Sequence, residues 1–380
     1  MPCEAMLTMN KYQELFPVTK KYAYFNHAAV APLSTYATNR ANDFLEDSLV
    51  NGSINYMKWL ANVAKAKNIA AQIVNAKPDE MAIVKNTTSG ILLVANGLDF
   101  KTGDNVVIPE KEFPANVYPW LNLKDKGVEV RFVKWRDGRV VIEDLLENVD
   151  SRTRLVSISH VQFTNGFRVD LERLGYELKK RGVLLFVDAI QSMGVFDIDV
   201  KRDNIDFLAA DSHKWLLGPE GIGHFYCSKD KLDLLRLDNM GYTSVINSSD
   251  YLSYDTTLMP DSSRFEEGSL NMLGIHAALG SLELIKEVTR EKIEERIINI
   301  TDYLVDGLKS ADCKIRSVRE NDNEKSGIIS FVPNKTKVGE LYSKLMRDKI
   351  YVALRDNAIR LSPHFYNSTD EAGRLLKIIE

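Results

Sequence analysis

The chain has 380 residues, of which 44% are hydrophobic and 27% are charged. This length predicts two or three domains, and the composition excludes a disordered chain, a collagen-like repeat and a coiled coil. Lys and Arg total 49 against 53 Asp and Glu, which gives a formal net charge of −4. Because no strongly basic domain or stripe is present, nucleic acid is not expected as a partner.

The three cysteines, Cys3, Cys227 and Cys313, are far apart in the sequence and form no CxxC pair. This spacing argues against zinc, iron–sulfur and disulfide frameworks, so we predict no metal site and a reducing cytoplasmic location. The N-terminus lacks the apolar core of a signal peptide. No apolar run approaches the roughly 18 residues of a membrane span, so we expect no membrane association.

Short apolar runs alternate with amphipathic helical patterns through the first two-thirds of the chain. Strands are predicted at 105–108, 128–133, 155–159, 183–188, 207–210 and 222–226. Helices are predicted at 59–75 and 170–181, and Asp170 is the expected N-cap of the second. Several strands are apolar on both faces, which is typical of a covered parallel sheet in an α/β fold.

The pattern changes after about residue 260. A long helical stretch at 271–310, broken in its middle, precedes strands at 327–332 and 358–362 and a final helix from about residue 369. This order predicts a smaller α+β domain. We therefore expect a large domain at 17–265, with 1–16 and 266–380 forming the small domain and its N-terminal segment.

Two polar residues follow or end predicted strands. Lys214 comes just after a buried strand and before a Gly/Pro-rich turn, and Asp188 ends an apolar strand 26 residues earlier. Lys214 is either a surface lysine or a desolvated Schiff-base lysine. Asp188 is either a helix cap or a carboxylate that holds the protonated pyridine nitrogen of pyridoxal phosphate (PLP).

Two further segments are weaker signals. Thr87 and Thr88 open an apolar helix, where they either cap the helix or help to bind a phosphate. Phe113 follows the strand that ends at Pro109, where it either stacks on a planar cofactor ring or packs in the core. No GxGxxG or Walker-type loop follows an early strand, which argues against a nucleotide-binding α/β protein.

These four segments, in this order and spacing, resemble the class V aminotransferase family of fold-type-I PLP enzymes. That family includes cysteine desulfurases, kynureninases and isopenicillin N epimerase-like proteins, and the resemblance runs from residues 24–29 to the final helix. It implies a PLP cofactor. It also implies a mostly parallel seven-stranded sheet with helices on both faces, followed by a smaller α+β C-terminal domain.

By this resemblance, Lys214 binds the cofactor and later moves the proton at Cα, while Asp188 pairs with the pyridine nitrogen. The other implied cofactor contacts are Gln191 at the 3-oxygen, Thr87, Thr88 and His213 at the phosphate, and Phe113 stacked on the ring. Arg360 matches the arginine that binds the substrate α-carboxylate, for which a bidentate guanidinium is suited.

Three more residues match family positions. Ser269 lies in a segment whose hydroxyl reaches the phosphate of the partner subunit in relatives, so a homodimer is implied; an ordinary helix cap is the alternative. Asn26 and His27 lie where relatives line the substrate entrance. His27 is either catalytic or structural.

The chain also departs from the family pattern. Desulfurases carry a mobile catalytic cysteine between a small-domain strand and the carboxylate-binding arginine, whereas here the stretch 351–360 is short and has no cysteine. An ordinary persulfide-forming desulfurase is therefore not expected. Asp211 stands where some desulfurases have a phosphate-binding serine, so either Ser212 takes that role or Asp211 points away.

We expect a PLP-dependent enzyme that acts on the α-amino group of an amino acid. Transamination is the favoured reaction. The alternatives are a C–S or Cβ lyase of the desulfurase-like or kynureninase-like type without a persulfide cysteine, an amino-acid epimerase and, last, a non-enzymatic PLP-binding scaffold. Motif matching does not choose among the reactions, because they share their early steps.

Overall fold

The computed structural model describes residues 12–252 and 254–380. The strands are β1 Ala23–Tyr24, β2 Met81–Val84, β3 Asn105–Pro109, β4 Glu129–Val133, β5 Thr153–Ser159, β6 Leu184–Asp188, β7 Phe207–Asp211, β8 Gly223–Cys227, β9 Cys313–Ile315, β10 Ile329–Pro333, β11 Ile350–Tyr351, β12 Ala353–Arg355 and β13 Ala358–Leu361. The helices are α1 Thr35–Asn51, α2 Tyr56–Ile73, α3 Thr87–Gly97, α4 Tyr118–Leu121, α5 Ile142–Glu147, α6 Leu171–Lys180, α7 Met272–Val288, α8 Arg290–Ser310, α9 Val338–Arg347 and α10 Thr369–Ile379.

The large sheet has seven strands in the order β2-β8-β7-β6-β5-β3-β4. β8 pairs antiparallel with both of its neighbours, and the other pairs are parallel. The predicted mostly parallel α/β sheet is therefore confirmed. The carboxyl ends of its parallel strands lie at one edge, where ligands bind in such folds.

Helices cover both faces of this sheet because successive side chains on each strand point to opposite sides. On β6, Phe186 belongs to one core with α3 and α4, whereas Val187 belongs to another core with α2, α6 and α7. At the start of α6, the Asp170 side chain accepts a hydrogen bond from Arg173 N, so the predicted N-cap is present.

The second sheet has four antiparallel strands in the order β12-β13-β10-β9. Its core includes residues of α8, α9 and α10, which confirms the smaller α+β unit. The predicted break in the helical stretch 271–310 falls at Thr289, where φ is 72°. β1 pairs with β11 of the small unit, so the early chain joins it.

Core packing favours a domain division different from the expected boundary at residue 265. Helix α7 packs on α1 and α2 of the large unit, and the large core includes Ile293 and Ile297 of α8. Phe25 instead belongs to the small core together with Leu304. We therefore propose that the division falls inside α8. Of the segment 1–16 assigned to the small domain, residues 1–11 lie outside the described residues.

Candidate active site

A cavity of about 500 Å³ opens between the carboxyl edge of the large sheet and the β12–β13 hairpin of the small unit. Most of the site residues predicted from the sequence line it. These are Thr87, Thr88, Phe113, Asp188, Gln191, His213, Lys214 and Arg360. They come from strand ends and one hairpin that are distant in sequence, so the sheet topology and the domain packing bring them together.

Lys214 and Asp188 form the buried ionisable centre of the cavity. Lys214 is 7% exposed, and its Nζ lies 5.4 Å from the centroid of the Phe113 ring. Burial lowers the pKa of Lys214, although the negative charge of Asp188 opposes this shift. Burial likewise raises the pKa of Asp188. An amine that loses its proton readily is suited to nucleophilic attack on a carbonyl.

The N-terminus of α3 forms one end of the cavity. Asn86 caps the helix by accepting a hydrogen bond from Ser89 N at 2.9 Å. Thr87 Oγ1 accepts one from Asp211 N at 3.0 Å, which ties the helix start to the end of β7. A helix N-terminus presents backbone N–H groups and partial positive charge, so Thr87 and Thr88 stand at an arrangement suited to a phosphate.

Asp211 and His213 are adjacent in this part of the cavity, with His213 Nδ1 2.9 Å from Asp211 Oδ1. Ser212 Oγ instead contacts His224 Nε2 at 3.2 Å, and Ser212 is buried away from the cavity. The sequence left two alternatives: either Ser212 takes the phosphate-binding role or Asp211 points away. The geometry favours the second, with the Asp211 carboxylate directed at His213.

Gln191 and Phe113 line the middle of the cavity. Gln191 Nε2 donates to Ala28 O at 3.0 Å, and its Oε1 accepts from Trp215 Nε1 at 2.7 Å. These two bonds fix the amide orientation and leave one N–H of the amide for a ligand oxygen. The Phe113 ring is 43% exposed and meets Phe163 edge to face at 5.3 Å.

Arg360 enters the cavity from β13. It is 2% exposed, its Nη1 donates to Phe163 O at 2.7 Å, and its buried Nε has no hydrogen-bond partner. Burial lowers the pKa of Arg360 to about 9, because desolvation disfavours the charged guanidinium. A buried cation with an unsatisfied donor fits an anionic ligand such as a substrate carboxylate.

Three predicted site residues do not line this cavity. His27 is fully buried, with Nδ1 2.8 Å from Ser362 O and Nε2 2.5 Å from Tyr366 Oη. Both ring nitrogens are therefore occupied by contacts within the protein. Asn26 is 8% exposed and forms a backbone bridge with Ser362. Ser269 is on the surface, where its Oγ contacts Tyr242 Oη at 3.2 Å. The proposed substrate contacts of Asn26 and His27 are therefore not supported within one chain.

Two residues absent from the sequence-based site also contribute to it. Arg355 lines the cavity from the end of β12. Glu112 is buried, accepts hydrogen bonds from Ser159 N at 2.8 Å and Gln162 Nε2 at 3.0 Å, and raises the pKa of Asp188 through its negative charge. For Arg355 such a signal exists: side chains alternate between the two faces of a short hairpin, so the sequence could have placed Arg355 on the same face as Arg360. We see no comparable sequence signal for Glu112.

Comparison with known proteins agrees with this geometry. A profile of the aminotransferase class-V family matches residues 23–356. A probable cysteine desulfurase of Methanothermobacter thermautotrophicus is 29% identical over 96% of this chain and 95% of its own. A cysteine desulfurase of Pectobacterium carotovorum is 31% identical over 76% of this chain and 72% of its own. The apo cysteine desulfurase of Thermococcus onnurineus shares the fold, with a TM-score of 0.88 at 24% identity over 98% and 97% of the two chains.

The chain therefore belongs to the aminotransferase class-V family, and it is a desulfurase-like, PLP-dependent transferase or lyase. The predicted family, enzyme class and cofactor are confirmed. The residues present also fit PLP. The N-terminus of α3 suits a phosphate, Phe113 suits a planar ring, and Asp188 is a buried carboxylate that could accept a hydrogen bond from a pyridinium N–H.

Within residues 12–252 and 254–380, no helix combines the length and the apolar character that crossing a bilayer requires.

Proposed function

We propose that this enzyme is a C–S lyase, which cleaves the Cβ–S bond of a sulfur-containing amino acid without storing the sulfur on a cysteine of its own. Curated relatives are named cysteine desulfurases, which favours C–S cleavage over the transamination that the sequence alone suggested. One observation supports the second part of the proposal, that sulfur is not stored on an enzyme cysteine: no thiol of the described residues lines the cavity. A persulfide-forming desulfurase requires such a thiol, as the family resemblance implies.

The two described cysteines are poorly placed for sulfur transfer. Cys227 is fully buried at the end of β8, and burial raises the pKa of its thiol. Cys313 begins β9 in the small unit and is 8% exposed, and burial raises its pKa as well. Neither thiol is suited to nucleophilic attack, because the thiolate is the reactive form. Cys3 lies outside the described residues.

The segment that carries the mobile cysteine in desulfurases is a tight hairpin here. β12 and β13 are joined by Asp356 and Asn357, whose φ values of 48° and 52° are typical of a two-residue type I′ turn. Arg316 Nη1 donates to Asp356 O at 2.6 Å and holds the turn. A hairpin of this length leaves no loop that could carry a thiol to the substrate sulfur.

Different residues of the cavity have different roles in the proposed reaction. PLP, when bound, supplies an electron sink for the electron pair left at Cα. Arg360 binds the α-carboxylate, Asp188 holds the proton on the pyridine nitrogen, and Lys214 removes the Cα proton. The electron pair left at Cα forms the Cα–Cβ double bond as the Cβ–S bond breaks, and the sulfur leaves as a thiolate with the two electrons of the Cβ–S bond. The thiolate takes up a proton to give the thiol, and hydrolysis of the released aminoacrylate gives pyruvate and ammonium.

We also propose that the enzyme is a homodimer in which Ser269 acts at the partner's site. In support, Ser269 lies on the surface away from its own cavity, and large hydrophobic side chains nearby in sequence, including Tyr251, Leu252 and Tyr254, are 77–88% exposed. Light scattering of the purified protein tests the dimer. A monomeric holoenzyme with full activity would contradict it.

Product analysis of the purified holoenzyme tests the lyase proposal. With cysteine or an S-substituted cysteine, we expect pyruvate and ammonium in equal amounts together with sulfide or the corresponding thiol. Alanine as the product would indicate a desulfurase instead. A keto acid formed together with the pyridoxamine form of the cofactor would indicate transamination.

A variant with all three cysteines replaced by serine is the matched control for the sulfur route. We expect it to retain lyase activity within about twofold, because the reaction uses no enzyme thiol. Loss of activity on this replacement, with the Lys214→Ala variant as the inactive reference, would overturn the proposal.

A further inference from the structure

His364 joins the small unit to the chain beside Lys214. It is fully buried, its Nδ1 accepts a hydrogen bond from Phe365 N at 2.9 Å, and its Nε2 lies 3.1 Å from Trp215 O. Because Nδ1 is an acceptor and a carbonyl oxygen cannot donate, the ring proton of the neutral imidazole is on Nε2. His364 Nε2 therefore donates to Trp215 O, the carbonyl that follows Lys214 in the chain.

The backbone around Lys214 depends on hydrogen bonds from distant parts of the chain. Lys214 follows the end of β7 and belongs to neither a helix nor a strand. The carbonyls on either side of it each accept such a bond: His213 O from Ala31 N at 2.7 Å, and Trp215 O from His364. Loss of the bond from His364 would therefore release one side of the turn that carries Lys214.

Trp215 also connects this turn to the middle of the cavity. Its Nε1 donates to Gln191 Oε1 at 2.7 Å, and its ring lies 5.5 Å from that of His364. Both the carbonyl and the ring of Trp215 therefore meet His364, while the indole N–H meets a residue that lines the cavity. A shift of Trp215 would move Lys214 and Gln191 together.

The segment that carries His364 also carries Arg360. Arg360 lies on β13 and lines the cavity, and His364 follows four residues later. Between them, Ser362 Oγ accepts a hydrogen bond from Ala28 N at 2.9 Å, and Ala28 belongs to the core of the large unit. One short segment therefore holds both the proposed carboxylate-binding residue and the contact to the turn of the proposed base.

We propose that His364 is a positioning residue for Lys214. Its bond to Trp215 O holds the Lys214 amine at the distance from Arg360 that removal of the Cα proton requires when a substrate carboxylate is bound there. Small displacements matter, because a shift of about 1 Å can slow an enzymatic step about 10²-fold. This inference rests on the base role proposed for Lys214, and it does not depend on which bond of the substrate breaks afterwards.

Two substitutions separate the two hydrogen bonds of His364. Glutamine can place an N–H near the position of Nε2, so His364→Gln keeps the donor to Trp215 O. Asparagine can place an oxygen near the position of Nδ1, so His364→Asn keeps the acceptor for Phe365 N and loses the donor. Each variant leaves one buried group without a partner, so we expect similar losses of apoprotein stability in chemical denaturation. A functional difference between the variants then reports the bond to Trp215.

A comparison of two cofactor forms measures the position of Lys214 without turnover. The aldehyde of PLP condenses with the Lys214 amine and releases water, whereas pyridoxamine 5′-phosphate has an amine in place of the aldehyde and forms no bond to lysine. We expect the wild-type apoprotein to bind PLP more tightly. In His364→Asn this preference should fall about 10- to 100-fold, because the lysine amine is displaced, and in His364→Gln it should stay within about threefold. A wild type that binds both forms equally would overturn the inference together with the role of Lys214.

Exchange of the Cα proton of alanine for deuterium tests the proposed proton step itself. Alanine has no leaving group on Cβ, so the exchange does not require the lyase reaction. By NMR in D₂O, the maximal rate in His364→Asn should be about 10- to 100-fold below that of the wild type, with the half-saturating alanine concentration within about threefold because Arg360 is unchanged. His364→Gln should remain near the wild-type rate. Equal losses in the two variants, or no loss in His364→Asn, would overturn the inference and assign His364 to the fold alone.

His276→Gln is the control for loss of a buried histidine. His276 Nδ1 lies 2.7 Å from Met272 O and its Nε2 3.1 Å from Asn62 Nδ2, and the residue does not line the cavity. This variant should lower stability without changing the PLP preference or the exchange rate. The lyase proposal fails separately: a wild type that exchanges the Cα proton of alanine but forms no pyruvate from cysteine derivatives would refute C–S cleavage, while the difference between His364→Asn and His364→Gln would still support the role of His364.

Discussion

Buried charges determine what the individual residues of this site can do. Lys214, Asp188 and Arg360 are all at most 7% exposed, and isolated buried charges are costly unless they are paired or bind a ligand. Main-chain contacts hold two of them in place: Asp188 Oδ1 accepts a hydrogen bond from Ile190 N at 3.0 Å, and Arg360 donates to Phe163 O. The cofactor and the substrate complete the charge balance.

Asp188→Asn is expected to lower kcat about 10²- to 10⁴-fold, in the range found for removal of a group that handles protons in the reaction. Asparagine keeps the shape and can still accept from Ile190 N, but it does not hold the pyridine nitrogen in its protonated form. Steady-state kinetics and the absorbance of the holoenzyme measure the effect. Asp206→Asn, at a half-buried aspartate outside the cavity, is the control and should leave kcat unchanged.

Arg360→Lys is expected to raise KM for amino acids about 10- to 100-fold while PLP binding stays intact. Lysine keeps the charge but loses the bidentate geometry that a carboxylate requires. Substrate titrations and a separate PLP titration distinguish the two effects. An unchanged KM would remove Arg360 from the substrate site.

At the level of elements, the close packing of α3 on β7 places the proposed phosphate site. A Cβ added at Gly90 would lie 2.6 Å from Ala209 Cβ, which is closer than real Cβ atoms approach. Glycine at this position therefore allows the helix to approach the sheet closely enough for Thr87 to meet Asp211 N. The N-cap at Asn86 then fixes where the helix begins.

Gly90→Ala is expected to destabilise the apoprotein by about 1–3 kcal/mol, as overpacking does in well-packed cores, and to weaken PLP binding by displacing α3. Chemical denaturation and a PLP titration measure the two effects. Gly339→Ala in α9 is the control, because a Cβ there meets nothing within 4 Å. That change should be neutral or slightly stabilising. Unchanged PLP affinity in Gly90→Ala would contradict the packing argument.

At the level of the whole molecule, buried histidines join the two structural units. His27 contacts Ser362 and Tyr366, and its ring lies 5.2 Å from that of His364. His364 Nε2 in turn lies 3.1 Å from Trp215 O, one residue after Lys214. Burial lowers the pKa of His27 to about 4 and that of His364 well below its usual range.

These shifts predict acid-sensitive stability. Between about pH 6.5 and pH 4, the unfolded chain binds protons that the folded His27 does not, so the unfolding free energy falls as the pH falls. Burial raises the pKa of Asp188 to about 7, and this shift acts in the opposite direction across the whole of this range. A comparison of His27→Gln with the wild type therefore isolates the contribution of His27. The variant should show a flatter pH dependence of unfolding between pH 7 and pH 4, and an identical slope would refute the prediction.

The sequence by itself determined six of the seven strands of the large sheet, the break near Thr289, and the positions of Asp188 and Lys214 near strand ends, but it did not indicate β2. Apolar periodicity, capping residues and turn residues act over short stretches, so they can be read locally. Tertiary structure decided which side chains face the cavity. His27 points into the contact between the two units, and Arg355 points into the cavity. The sequence does not show these directions, because they depend on strand register and on how the small unit packs against the sheet.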